Sequence, residues 1–109
     1  MGFNSVRKYG ILDSSMNIII HGQNIDTTDA LREYAEDKMQ RLEKYAKDIT
    51  QLSLTFERNF HHRHGKICTV KAQMQVSGPD IYAETEHEDF YAAIDIVQDM
   101  LETQLRKRH

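Results

Sequence analysis

The spacing of hydrophobic residues along the chain predicts four strands and two helices in a fixed order. Residues 17–22 contain a continuous apolar run, which is typical of a strand buried on both faces. Apolar residues then recur every three or four positions, which predicts a helix over about residues 29–47, with Thr28 as its N-cap. The apolar positions of this helix are Leu31, Ala35, Met39, Leu42, Ala46 and Ile49.

From Gln51 onward, apolar residues alternate with polar ones, which is the two-residue period of a half-buried strand. Three such strands are predicted, at residues 52–57, 68–76 and 81–85, and the last two are separated by a turn at residues 77–80. Residues 58–66 are polar and rich in histidine, and we interpret them as a loop. The apolar positions of a final helix, opened by the segment 86–95, are Phe90, Ile94, Val97, Leu101 and Leu105.

This order of strand, helix, three strands and helix predicts an α+β two-layer sandwich with a four-stranded mixed sheet. Both helices are expected on one sheet face, because each must bury an apolar stripe, and the other face is left to solvent or a partner. The first two strands should be parallel, with a right-handed crossover. The 109 residues fit one domain, which we place at residues 16–109. Residues 1–15 show no period and are expected to form a flexible extension, with Met16 as an alternative first residue.

The overall charge restricts the kind of partner. The formal net charge is −3, with 14 Lys and Arg against 17 Asp and Glu, which argues against nonspecific adhesion to nucleic acid. An RNA partner is compatible with this charge if the basic residues are gathered on one face. The single cysteine, Cys68, gives no internal disulfide, and no secretory signal or membrane span is evident, so we expect a cytoplasmic protein.

The basic residues of the two helices are the first candidates for a binding site. On a helical wheel, Lys38, Arg41 and Lys44 fall on one flank of the apolar stripe of the first helix. They would suit contacts with RNA phosphates, although an ordinary solvated face supported by Glu–Lys pairs gives the same pattern. Arg106 and Lys107 form a second basic cluster, for which the helix dipole is an alternative explanation.

The remaining candidates lie in the sheet and its loops. Lys71 projects from the non-core face of a strand, and the histidine-rich segment contributes Arg63 and Lys66. The spacing of its histidines matches no closed metal site, so contact of this loop with phosphates is the preferred interpretation. The acidic residues of the second helix are interpreted as a solvated face: Asp89, Asp95, Asp99 and Glu102. Because no nucleophile, phosphate loop or acid–base pair emerges, we expect neither an enzyme nor a cofactor.

Over residues 16–107 the chain resembles the short ribosome hibernation-promoting factors and the related ribosome-associated inhibitor A. The most specific part is the segment from Asp89 to Asp95, with Tyr91, Ala93 and Ile94 between them. The other residues that carry the resemblance are Asn17, Ile18, Gly22, Thr28, Ala30, Leu31, Arg32, Glu33, Lys38, Leu42, Glu43, Lys44, Tyr45, Val76, Gly78, Ala83, Gln104 and Leu105.

The resemblance implies a fold like that of a double-stranded-RNA-binding domain. It also implies binding to the small ribosomal subunit in the channel for messenger and transfer RNA, with translation blocked by steric occlusion. By position, Lys38, Arg41 and Lys44 would contact ribosomal RNA, followed by Arg106 and Lys107. Family members often carry basic residues where this chain has Met100 and Thr103. Pairing of ribosomes would need a second factor.

Two other functions are compatible with the residues. One is a general RNA-binding module that acts away from the ribosome, and it predicts binding to free duplex RNA with a steep dependence on salt. The other is a regulator that binds protein, an older idea attached to the same family as a modulator of a sigma factor. That function would be insensitive to charge reversal of Lys38, Arg41 and Lys44.

Overall fold

A computed structural model of the chain describes residues 16–61 and 65–108, and it describes residues 61 and 66 by their backbone. The elements follow the predicted order of an α+β fold. The strands are β1 (Asn17–Gln23), β2 (Gln51–His61), β3 (Gly65–Gln75) and β4 (Ile81–His87), and the helices are α1 (Asp29–Gln40) and α2 (Phe90–Lys107). A short 3₁₀ turn, Arg41–Lys44, follows α1. The predicted extension at residues 1–15 lies outside the described residues.

The four strands form one mixed sheet in the order β1-β2-β3-β4. β1 and β2 are parallel, as predicted for strands joined through a helix, and the other two pairs are antiparallel. The prediction that the first strand is buried on both faces was wrong, because its three isoleucines are half-buried. The reason is that β1 lies at the edge of the sheet, where it has a neighbouring strand on one side.

The core lies between the two helices and one face of the sheet. The predicted apolar stripe of α2 is buried along its whole length, and Ala93 is buried beside it. Along the first helix and its continuation, the predicted stripe is also buried, except that Ala46 is partly buried. The largest fully buried side chains are Phe56, Met39, Leu42, Leu52, Leu54, Met74, Ile94, Leu101, Val70 and Val97. Alternation along the strands therefore identified the core face correctly.

The first helix ends earlier than its sequence pattern predicts. α1 stops at Gln40, and the backbone N–H of Arg41 donates to both Lys38 O and Met39 O. Such shared bonds tighten the last turn from α to 3₁₀ geometry and satisfy carbonyls that would otherwise lack a partner. Leu42 remains fully buried in the 3₁₀ turn. The apolar spacing thus continues past the end of the α-helix, which is why the pattern alone predicted a longer one.

The predicted polar loop at residues 58–66 is mostly a continuation of strands β2 and β3. Asn59 pairs with Ile67, and Phe60 pairs with Lys66, in an antiparallel ladder. Gly65, with φ of 71°, adopts a conformation that few other residues tolerate. The loop interpretation was wrong because a two-stranded ladder is held by backbone hydrogen bonds, which leave no hydrophobic alternation in the sequence.

Side chains cap both helices at their N-termini. Thr28 is the N-cap of α1, as predicted, and its Oγ1 accepts from the backbone N–H of Leu31 at 3.1 Å. Asp89 is the N-cap of α2, where its Oδ1 accepts from the backbone N–H of Tyr91 at 3.0 Å. These caps satisfy amide groups that the helices leave without partners. The helix therefore begins at Phe90, and the residues just before it end β4.

Candidate RNA-binding surface on the helical layer

Four side chains join α1 to α2 at the surface of the helical layer. Tyr34 and Lys38 come from α1, and Tyr91 and Asp95 come from α2. The Tyr34 hydroxyl donates to Asp95 Oδ1 at 2.7 Å, and Lys38 Nζ lies 3.2 Å from the same oxygen. The rings of Tyr34 and Tyr91 meet edge to face, with centroids 5.0 Å apart. We call these four residues the interhelical cluster.

The electrostatics of the interhelical cluster are set by the Asp95 carboxylate. Desolvation by itself would raise the pKa of Asp95, but hydrogen bonds from Tyr34 and Lys38 outweigh it and hold this pKa below its usual value. The hydrogen bond to Asp95 raises the pKa of Tyr34, because the tyrosine proton is shared with a carboxylate. Asp95 therefore stays ionised at neutral pH and holds the Lys38 ammonium close to the protein surface.

Arg41 and Lys44 extend this surface along the 3₁₀ turn. Both side chains are exposed, and they are three residues apart in a 3₁₀ segment, so they project in the same direction. Arg41 lies close enough to Asp95 to lower its pKa further. Lys44 Nζ lies 5.6 Å from the ring centroid of Tyr45. In contrast to Lys38, which is only 20% exposed, these two cations face solvent and are better placed to meet a phosphate.

The C-terminal end of α2 contributes another cation near the 3₁₀ turn. Arg106 contacts Glu102 one turn earlier, with Nη1 and Oε2 3.2 Å apart. A hydrogen bond from Tyr45 to the same glutamate raises the pKa of Tyr45, and Arg106 opposes this shift. The end of α2 is therefore packed beside the segment that carries Lys44. Lys38, Arg41, Lys44 and Arg106 together form what we call the basic ridge.

The structure describes three of the other predicted site residues, Lys66 among them by its backbone alone. Lys71 is on the opposite sheet face, where its Nζ lies 3.6 Å from Glu57 Oε1. Lys107 is exposed at the end of α2. The backbone of Lys66 belongs to β3, in register with Phe60. Arg63 lies outside the described residues.

The sequence patterns did not identify the role of Arg108, and they led to a wrong interpretation of Asp95. Arg108 makes a two-pronged ion pair with Asp48, with N–O distances of 2.7 and 3.0 Å. Asp48 also accepts from the backbone N–H of Ser77, and its pKa is lowered to about 2, chiefly by the hydrogen bond from Arg108. Asp95 was interpreted as part of a solvated face, whereas it binds two partners on α1. Both contacts join residues about 60 positions apart, which no local pattern reveals.

The expected basic residues are not found at two exposed positions of α2. Met100 is 36% exposed and lines a shallow depression of about 540 Å³ with Tyr82 and Lys71, among others. Thr103 is also exposed. The positive charge of the helical layer therefore depends on α1, the 3₁₀ turn and the last turn of α2.

Within residues 16–61 and 65–108, no group of three or more His, Cys, Asp or Glu side chains is arranged to hold a metal ion. Cys68 is buried, and its thiol lies 3.5 Å from the carbonyl oxygen of Glu88. His87 Nδ1 accepts from the backbone N–H of Asp89 at 3.1 Å, which gives it a local role at the start of α2. None of the helices in this part of the chain is long and apolar enough to cross a membrane.

The structure thus defines a small α+β domain whose helical layer carries the basic ridge. The profile of the family described as "Sigma 54 modulation protein / S30EA ribosomal protein" matches residues 18–109. The "Ribosome hibernation promoting factor" of Azotobacter vinelandii is 42% identical over 94 residues, which cover 84% of this chain and 81% of that protein. The chain therefore belongs to this family of non-enzymatic ribosome hibernation factors, and the resemblance seen in the sequence is confirmed.

Two solved structures share the fold. A ribosomal subunit interface protein from Coxiella burnetii is 32% identical, with a TM-score of 0.75, over 84% of this chain and 96% of that one. The N-terminal domain of Protein Y from Thermus thermophilus is also 32% identical, with a TM-score of 0.71, over 84% of this chain and 98% of that one. The predicted four-stranded mixed sheet with two helices is confirmed by this likeness.

Proposed function

We propose that this protein binds the small ribosomal subunit in the channel for messenger and transfer RNA, and blocks translation by occupying that space. The observation that supports the proposal most is the basic ridge, in a chain that belongs to a family of ribosome hibernation factors. The mechanism is occlusion, so the protein needs a stable shape and a matching surface and no catalytic group. The proposal places the protein in the cytoplasm, and it assigns any pairing of ribosomes to a second factor.

The basic ridge would bind RNA through its phosphates. Cations that contact phosphates release counterions from the RNA, and this release favours binding most strongly at low salt. Arg41 and Lys44 are exposed one 3₁₀ turn apart and would make these contacts first. Lys38 is paired with Asp95, so its main contribution would be to hold the two helices together beneath the exposed cations.

The acidic residues next to the basic ridge would favour a specific site over any RNA. Asp95 and Glu102 lie beside the cations, and the whole chain carries a net charge of −3. An RNA strand placed anywhere else on this surface would bring phosphates close to carboxylates, and like charges in close contact are unfavourable. The proposed target is therefore a folded RNA whose phosphates match the spacing of the cations, as is usual for recognition of RNA by shape.

The proposal is tested by charge reversal at the two exposed cations. We expect Arg41→Glu combined with Lys44→Glu to weaken binding to purified small subunits and to reduce the slope of log K against log[salt] by about 1.4–1.8, since each phosphate contact contributes about 0.7–0.9. Because Lys38 is bound to Asp95, reversing its charge would also disturb the helix pair, so this variant pair is preferable to one that includes Lys38. Lys71→Glu, on the opposite sheet face, is the matched control.

Competition with the normal ligands of the channel distinguishes occlusion from binding elsewhere. We expect the wild-type protein to displace messenger and transfer RNA from small subunits, and the doubly reversed variant to displace much less at the same concentration. Tight binding to subunits that still accept both RNAs would contradict the proposed location. Binding to free duplex RNA as strong as to subunits would favour a general RNA-binding module, and binding that is insensitive to the charge reversal would favour a protein partner.

A further inference from the structure

Strands β2 and β3 continue beyond the rest of the sheet and form a projecting hairpin. The pairing of β1 with β2 ends at Glu57, and the pairing of β4 with β3 reaches Cys68. Within the part of the chain that the structure describes, residues 59–61 and 65–67 therefore have ladder partners only in each other. We call these residues the hairpin arm.

An aromatic side chain stands on the hairpin arm with most of its surface in solvent. Phe60 is 78% exposed, more than any other large hydrophobic side chain among the described residues. Alternation along β2 places Phe60 on the same face as Phe56 and Arg58. That face looks toward the helical layer, because Arg58 lies 5.7 Å from the ring centroid of Phe90 at the start of α2. Phe60 therefore lies on the sheet face that the helices cover, beyond the start of α2, where it is exposed.

The charged residues in the sequence segment that contains Phe60 indicate what this aromatic ring would meet. Single exposed apolar residues are common and carry no meaning alone. The segment of residues 58–66, however, contains three cations, Arg58, Arg63 and Lys66, and no Asp or Glu. An aromatic residue in a sequence segment that has cations and no carboxylate matches an unpaired nucleotide, since the ring can stack on the base and cations attract the phosphates.

We propose that Phe60 stacks on an unpaired base of ribosomal RNA when the protein is bound to the small subunit. This inference rests on the function proposed above and adds a second point of contact, at the hairpin arm, to the basic ridge. The ridge would supply attraction that depends on salt and little on sequence, whereas the stacked ring would favour a site with an accessible base. The two contacts together would fix the orientation of the domain on the subunit.

The first experiment measures the affinity of Phe60 variants for purified small subunits. We expect Phe60→Ala to weaken binding about 5- to 150-fold, the range that corresponds to loss of one stacked base, and to leave the salt slope unchanged. Phe60→Tyr should restore most of the affinity, whereas Phe60→Leu should not. The matched control is Tyr82→Ala, which removes a 62% exposed ring from β4 and should leave the affinity unchanged.

The second experiment uses the absence of tryptophan from the sequence. Phe60→Trp introduces a single fluorophore at the proposed contact, and we expect its emission to be quenched when small subunits are added, because a stacked base quenches indole. Unchanged affinity of Phe60→Ala, together with no quenching, would overturn the inference and leave the proposed function standing. Restored binding by Phe60→Leu without quenching of Phe60→Trp would overturn it in favour of an apolar contact with a ribosomal protein. Failure of the wild-type protein to bind would overturn both proposals.

Discussion

Replacing Phe90 with alanine would remove the aromatic ring that packs the first turn of α2 onto the sheet. The ring is 6% exposed, and its centroid lies 5.6 Å from that of Phe56. The next residue, Tyr91, belongs to the interhelical cluster, so the position of that cluster depends on how this turn packs. The substitution therefore tests the packing that supports the proposed binding surface.

The expected loss of stability follows from the area of the buried ring. A buried aromatic side chain removes about 150–250 Å² from water, which at about 25 cal/mol per Å² corresponds to about 4–6 kcal/mol. This is an upper bound, because the alanine methyl group keeps some area and the unfolded chain is partly compact. We therefore expect Phe90→Ala to lower the free energy of unfolding by about 3–5 kcal/mol.

Urea denaturation followed by circular dichroism would measure this loss. With a slope of about 2 kcal/mol per M, the midpoint should fall by about 2 M while the slope itself stays constant. Tyr82→Ala, at an exposed position of β4, is the control and should change the stability by less than about 0.5 kcal/mol. A loss below about 1 kcal/mol for Phe90→Ala would show that the ring does not pack as described.

Three further predictions concern polar contacts and a close backbone approach. A double-mutant cycle of Lys38→Met and Asp95→Asn, measured by urea denaturation, should give a coupling of about 0.2–1 kcal/mol that shrinks in high salt, as for other part-exposed pairs; a coupling of zero at low salt would refute the pairing. Asp48→Asn should be less stable than wild type above about pH 4, and this difference in stability should close as the pH falls toward about 2. The reason is that the Asp48 carboxylate stabilises the fold fully above its unfolded pKa of 3.8, and this contribution is lost as the pH falls through the lower pKa of the folded state. A difference that does not change with pH would contradict the ion pair with Arg108. Gly22→Ala should lower stability by about 1–3 kcal/mol in thermal denaturation, because the new Cβ would lie 2.6 Å from a backbone oxygen; an unchanged melting temperature would refute this.

The local patterns of the sequence predicted the elements and the core face of this fold. Each correct prediction depended on side-chain period, as in β2, where Leu52, Leu54 and Phe56 alternate with polar residues and are fully buried. The end of α1 and the hairpin arm were predicted wrongly, for opposite reasons. The apolar spacing continues past Gln40 although the helix tightens, and the strands continue past Glu57 although the apolar alternation stops.

The candidate site could be predicted only in part, because its geometry depends on contacts between distant residues. The helical wheel placed Lys38, Arg41 and Lys44 on one flank, and the described geometry is compatible with that placement. The approach of Arg106 to this flank depends on how α2 packs beside the 3₁₀ turn. The hold of Asp95 on Lys38 spans the two helices. A periodic pattern carries no information on such pairs, since each partner looks like an ordinary surface residue.

Sedimentation of the purified protein with ribosomal subunits through a sucrose gradient at physiological salt tests the central claim most directly. We expect the wild-type protein to migrate with the small subunit, and the variant with Arg41→Glu and Lys44→Glu to remain at the top of the gradient although it is folded. Lys71→Glu should migrate as the wild type does. If the folded wild-type protein stayed at the top, or if the doubly reversed variant migrated with the small subunit, the proposed binding through the basic ridge would be contradicted.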